Sequence, residues 1–149
     1  MSAERRNLPT VIEAAAPVKA AGLRSTLAVP AAIADAGEHA VALAPPPGVS
    51  TEQLALGDRI FHGKARSGTC AGCHGSDGKG SGVGADLTAG QWLWGDGSLA
   101  AIAHTIAVGV PHPKEYGAPM PPMGGAELSP SELSAVSAYV WALGHRGGS

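Results

Sequence analysis

Cys70-Ala71-Gly72-Cys73-His74 decides how this chain is read, and it holds the only two cysteines in 149 residues. Two thiols three positions apart, with an imidazole directly behind the second, match the attachment sequence of a c-type haem. The chemistry requires that order. Each thiol adds to one vinyl group of the porphyrin, and one turn of chain presents both sulfurs to the same edge of the macrocycle. His74 then lies below the ring with a nitrogen aimed at the iron.

Three other readings stand beside this one. A zinc site of the finger type needs four ligands, and no second Cys or His pair follows at close spacing. A redox dithiol expects a βαβ surround, whereas the flanks here are glycine-rich and then helical. A structural disulfide across three residues would be strained and poorly stabilising.

Composition favours the haem. Only six residues are Phe, Trp or Tyr, while 22 glycines and 12 prolines make up nearly a quarter of the chain. Few large side chains are left to fill a core. A covalently bound macrocycle would supply the missing apolar volume, at about 25 cal/mol for each Å² buried. The formal charge is −2 and the sequence has no extended Lys/Arg run, which argues against nucleic-acid binding. No apolar run approaches the ~20 residues of a transmembrane segment.

Residues 1–48 form an Ala/Pro-rich extension with no aromatic residue and balanced charge. Its prolines interrupt any long helix, leaving short ones over 11–16 and 30–36. Pro45-Pro46-Pro47-Gly48 reads as a stiff linker, which places a domain at 49–149. Cysteine-linked haem is ordinarily made outside the cytoplasm, so a periplasmic or other extracytoplasmic location is expected. The run Ser25 to Ala34, ending in Ala32-Ile33-Ala34, is a weak candidate export signal.

The domain itself reads as helical. Ser50-Thr51-Glu52-Gln53 is a capping box opening a helix with Leu54, Leu56, Ile60 and Phe61, stopped at Gly63. Gly57 costs that helix stability, which suggests that another helix crosses closely there. Ser98 caps a second helix carrying Leu99, Ile102 and Ile106 and ending at Gly109, with His104 off its apolar face. Ser129-Pro130-Ser131-Glu132 is another capping box, with proline at the first helical position. The helix it starts carries Leu133, Val136, Tyr139, Val140 and Leu143 to Gly144.

Ala118-Pro119-Met120-Pro121-Pro122-Met123 lies between the last two helices. A thioether is a soft iron ligand, and flanking prolines limit the entropy lost when such a loop settles. Met120 is therefore the leading candidate for the second axial position. Met123 and, behind it, His112 are the alternatives.

With these pieces assembled, Ser50 to Gly144 resembles the monohaem class I cytochrome c family, particularly haem domains of bacterial terminal-oxidase subunits and soluble respiratory cytochromes. The matching residues are Gly57 to Phe61, Cys70 to His74, Asp86-Leu87-Thr88, Trp92-Leu93-Trp94-Gly95, Met120-Pro121 and Ala138 to Leu143. The resemblance implies an all-α fold of three to five helices wrapped around one haem c. In it the first and last helices cross near Gly57, Phe61 and Tyr139. It further implies thioether links from Cys70 and Cys73, with His74 and Met120 as the metal ligands. An indole N–H of Trp92 or Trp94 would reach a haem propionate, or else the ring packs on the haem edge.

The function implied is one-electron transfer rather than enzyme catalysis, since protein fills both axial positions. The partners would be a redox protein donor and acceptor: a dehydrogenase, a terminal oxidase or another cytochrome. The chain would act as a monomer or as a fixed relay subunit of a larger complex. A ligand-binding or peroxidatic haem protein is a further alternative. Lys64, Arg66, Lys79 and Lys114 flank the haem-bearing loops in sequence and could form a positive rim, or serve only as solvated side chains.

Overall fold

A computed structural model describes residues 43–68 and 70–146. The chain divides into two units, Met1–Pro30 and Ala31–Ser149, and every described residue belongs to the second. The short helices and the export run expected within 1–42 lie outside the described residues. Among the described residues four α-helices follow in order: α1 (Thr51–Phe61), α2 (Cys70–His74), α3 (Leu99–Val108) and α4 (Pro130–Gly144), with a 3-10 turn at Pro122–Gly125. Among the described residues the only β pairing is an isolated bridge between Val110 and Met120, so the fold is all-α.

The helix ends follow from local chemistry. Ser129 accepts from the Glu132 amide at 3.3 Å, and the Glu132 carboxylate accepts from the Ser129 amide at 2.8 Å, closing both arms of the box at the start of α4. Only one arm closes at Ser50, whose hydroxyl accepts from the Gln53 amide at 3.1 Å. The Gln53 side chain turns instead to Ser134 on α4, 3.1 Å away, because that helix passes within its reach. Gly63, at φ +70°, ends α1: its amide bonds to Ile60 and that of Lys64 to Arg59, satisfying two terminal carbonyls. Ser98 caps α3 through the Ala101 amide, and Gly109 terminates it. His104 is exposed on that helix.

The core sits where α1 crosses α4. A Cβ at Gly57 would fall on the Ala135 carbonyl and within 2.9 Å of the Tyr139 Cβ, so only glycine admits the crossing. That approach lets Leu54, Ile60 and Phe61 reach Val136, Tyr139 and Leu143, each almost wholly buried. Each such side chain contributes about 2 kcal/mol on burial. The glycine costs its helix only about 0.5–1 kcal/mol, so the crossing wins. The Phe61 and Tyr139 rings meet at 5.2 Å between centroids, tilted by 53°. Ahead of α1, Leu43 joins the same core and Pro46 is fully buried.

Candidate functional site

A cleft enclosing about 1280 Å³ of space, counted to its open mouth, is lined by the three residues of the attachment motif, Cys70, Cys73 and His74. Met120 and Met123 line it as well, and its walls include Phe61, Ile102, Ile106, Val136 and Val140. Two faces of the core thus end at one apolar hollow, which α3 and α4 both border.

The rival readings of the motif find no support in this geometry. The two cysteines are not joined to each other by a disulfide. Burial pushes the Cys70 thiol up from its ordinary value, the opposite of what a reactive dithiol needs. Among the described residues no group of three His, Cys, Asp or Glu side chains is placed to hold a metal ion, so a zinc site lacks its ligand set. Two thiols, an imidazole and a thioether on one large apolar cleft are the donor set of a covalently held haem, and the residues fit it.

His74 is oriented by the loop that follows it. Its Nδ1 lies 2.9 Å from the Ala85 carbonyl oxygen and donates to it, which leaves the lone pair on Nε2 for a metal. That loop is tied back on the motif. The Gly80 amide bonds to the His74 carbonyl at 2.7 Å, and the Ser81 hydroxyl to the Cys73 carbonyl at 2.6 Å. Gly84 passes so near Cys73 that a Cβ would overlap its carbonyl group. Further on, the Thr88 hydroxyl and amide both donate to Asp86, and these bonds hold its carboxyl below the usual range.

Met120 is held by its backbone. The bridge to Val110 consists of two hydrogen bonds, 2.8 and 2.9 Å, and the side chain packs partly buried against the core. Met123 has φ +55°, an uncommon conformation for a side-chain-bearing residue, in the turn that closes the loop. Both sulfur-bearing side chains face the same cleft, while His112 is exposed and does not line it.

Trp92 and Trp94 also line the cleft, in different settings. Trp92 is wedged between Gly97 and Gly144, where a Cβ on either glycine would strike its ring. Trp94 is 39% exposed and carries the Lys114 ammonium 4.4 Å from its ring centroid. Lys114 also donates to the Leu93 carbonyl at 2.8 Å. Of the basic residues that flank these loops, Lys114 lines the cleft, whereas Arg66 pairs with Glu132 at 2.7 Å beside the start of α4.

Sequence reasoning missed Ala85, Val110 and His62. The first two act through backbone atoms, which leave no side-chain signature. Gly109, immediately before Val110, was the one available hint. His62 follows Phe61 directly after α1, and no motif in the sequence singles it out.

The fold and this donor set define a c-type haem protein. The cytochrome c family model matches residues 54–144, and the chain belongs to that family, which carries haem c covalently. The chain is 36% identical over 92 residues to the cbb3-type cytochrome c oxidase subunit CcoP of Rubrivivax gelatinosus, covering 62% of this chain and 26% of that protein. It is 43% identical over 77 residues to the cbb3-type subunit FixP of Azorhizobium caulinodans, covering 50% and 24%. The chain therefore spans about a quarter of the length of the curated relatives it matches. No solved structure matches it significantly.

Proposed function

We propose that this domain is a one-electron carrier of the monohaem class I type, with thioether links from Cys70 and Cys73, His74 as proximal ligand and Met120 as distal ligand. When bound, the haem supplies an iron that cycles between ferrous and ferric states. The chain's own residues keep that change simple. Ala85 fixes the His74 imidazole, and Val110 anchors the Met120 backbone. With both axial positions taken by protein, no site remains for a substrate, so the domain is not an enzyme. Trp92 and Trp94 border the bound group, and an indole N–H from one of them meets a propionate.

The observation that carries this reading is the convergence of both thiols, His74 and the pinned Met120 on one apolar cleft. The test is an intact mass and visible spectrum after expression with haem-maturation machinery. One covalent haem with a His/Met spectrum is expected. A colourless product, or a reduced form that binds carbon monoxide readily, would defeat it.

Covalent attachment places the domain outside the cytoplasm, facing a redox protein donor and acceptor. Among the described residues no helix is long and apolar enough to cross a membrane. The relatives favour a second form of the same reading: a fixed relay module of an oxidase assembly, with residues 1–48 as the connecting segment. Co-purification of the tagged chain with a catalytic subunit would establish this form, and a lone monomer would favour the free carrier.

A further inference from the structure

Residues 111–119 leave the end of α3 and return at Met120 without forming helix or strand. The excursion is closed at its foot by the two hydrogen bonds between Val110 and Met120. So short a pairing is weak by itself, since even a complete two-stranded hairpin is marginal in water. Its far end is fastened separately. The Lys114 ammonium donates to the Leu93 carbonyl at 2.8 Å and sits 4.4 Å from the centroid of the Trp94 ring. Among the described residues this is the one hydrogen bond from 111–119 to another part of the chain.

The two ends of this tie border the same cleft. Pro113, Lys114 and Tyr116 line it from one segment, and Leu93 and Trp94 from the other. The second segment is a firm anchor, because Trp92 beside it is wedged against Gly144 of α4. Trp94 is 39% exposed, so its indole face is open to the lysine. A cation over that face is attracted by the ring quadrupole, and the lysine stem can lie along apolar surface while its head stays wet.

We propose that Lys114 is a positioning residue, a strap that holds the 111–119 loop across the cleft to Leu93 and Trp94 and thereby sets how often Met120 is released from the iron. This rests on the reading of Met120 as distal ligand. With the strap fastened, the loop is fixed at both ends and the Met120 backbone stays on Val110. With it loose, the loop gains conformational freedom that works against the bridge, and the methionine leaves more often. Entry of carbon monoxide in its place swaps one donor for another and moves no electron or proton.

The haem-loaded full chain tests this as wild type, Lys114→Ala and Lys114→Arg. Mass and spectrum come first, and failure there strikes the haem reading rather than the strap. In the reduced protein Lys114→Ala is expected to take up carbon monoxide about two- to five-fold faster than wild type, the factor an exposed cation–π contact supports. Lys114→Arg, which keeps a cation and donors, should restore the slow rate. Amide hydrogen exchange at Val110 and Met120 should quicken by a similar factor in Lys114→Ala, with exchange in α1 and α4 unchanged. Wild-type protein that binds carbon monoxide at once would strike Met120 as ligand, and with it the release that Lys114 is said to control, while amide exchange still reports the strap. Equal rates in wild type and Lys114→Ala, or faster exchange throughout α4 as well, would overturn the proposal.

Discussion

The peptide of Met120 is joined to that of Val110 by reciprocal hydrogen bonds of 2.8 and 2.9 Å, directly after the glycine that ends α3. This bridge places the methionine loop against the cleft without help from any side chain. It depends on Gly109, whose φ of +73° and ψ of −174° lie in a region essentially reserved for glycine.

Gly109→Ala is expected to destabilise the haem-loaded protein by about 2–3 kcal/mol, combining backbone strain with a Cβ that overlaps the Met120 carbonyl. The loop should loosen before the fold is lost. Denaturant unfolding followed by the sulfur–iron charge-transfer band would show that band melting ahead of helicity. A single coincident transition at wild-type stability would contradict the role given to the bridge.

The two methionines separate by substitution. Met120→Ala should abolish the His/Met spectrum, lower the potential and admit carbon monoxide to the reduced protein, because a thioether favours the ferrous state. Met123→Ala should keep the spectrum and shift stability by no more than about 1–2 kcal/mol. The reverse pattern would transfer the ligand role to Met123.

At the crossing of α1 and α4, propensity and packing make opposite predictions. Helix propensity alone says that Gly57→Ala stabilises by about 0.5–1 kcal/mol. The overlap with the Ala135 backbone says that it destabilises, by about 1–3 kcal/mol or more, since neither main chain can move aside. Net destabilisation in thermal unfolding is expected, and any gain in stability would disprove the close contact.

Acid should weaken the start of α4. The Ser129 amide, and then the Arg66 side chain, hold the Glu132 carboxyl below its ordinary 4.5. The unfolded chain therefore takes up that proton first as pH falls. The stability Glu132 contributes is complete above about 4.5 and is lost as pH drops through the depressed folded value. Glu132→Gln should unfold at a lower temperature than wild type at neutral pH, and the difference should close in acid. A difference independent of pH would mean that the carboxylate charge is not what matters.

Much of this molecule was legible in the residues alone because its signals are local. The attachment pentapeptide is complete within five positions, and the box at Ser129 and Glu132 closes within four. The tight crossing at Gly57 could be inferred because a glycine in mid-helix needs a reason. The same locality misled at Ser50, where the second arm of the expected box, Gln53, found a better-placed partner 81 residues away.

The sequence by itself thus determined the covalent chemistry, the helical class and where most helices begin and stop, since each depends on atoms a turn or so apart. Only the tertiary structure decided that Ala85 orients His74, that Val110 anchors Met120, that Arg66 pairs with Glu132, and that His62 reaches Ser76. Those contacts join residues distant in the chain, mostly through backbone oxygens and amides that every residue carries. Their identity is therefore set by how the helices pack, not by which side chains are written in the sequence.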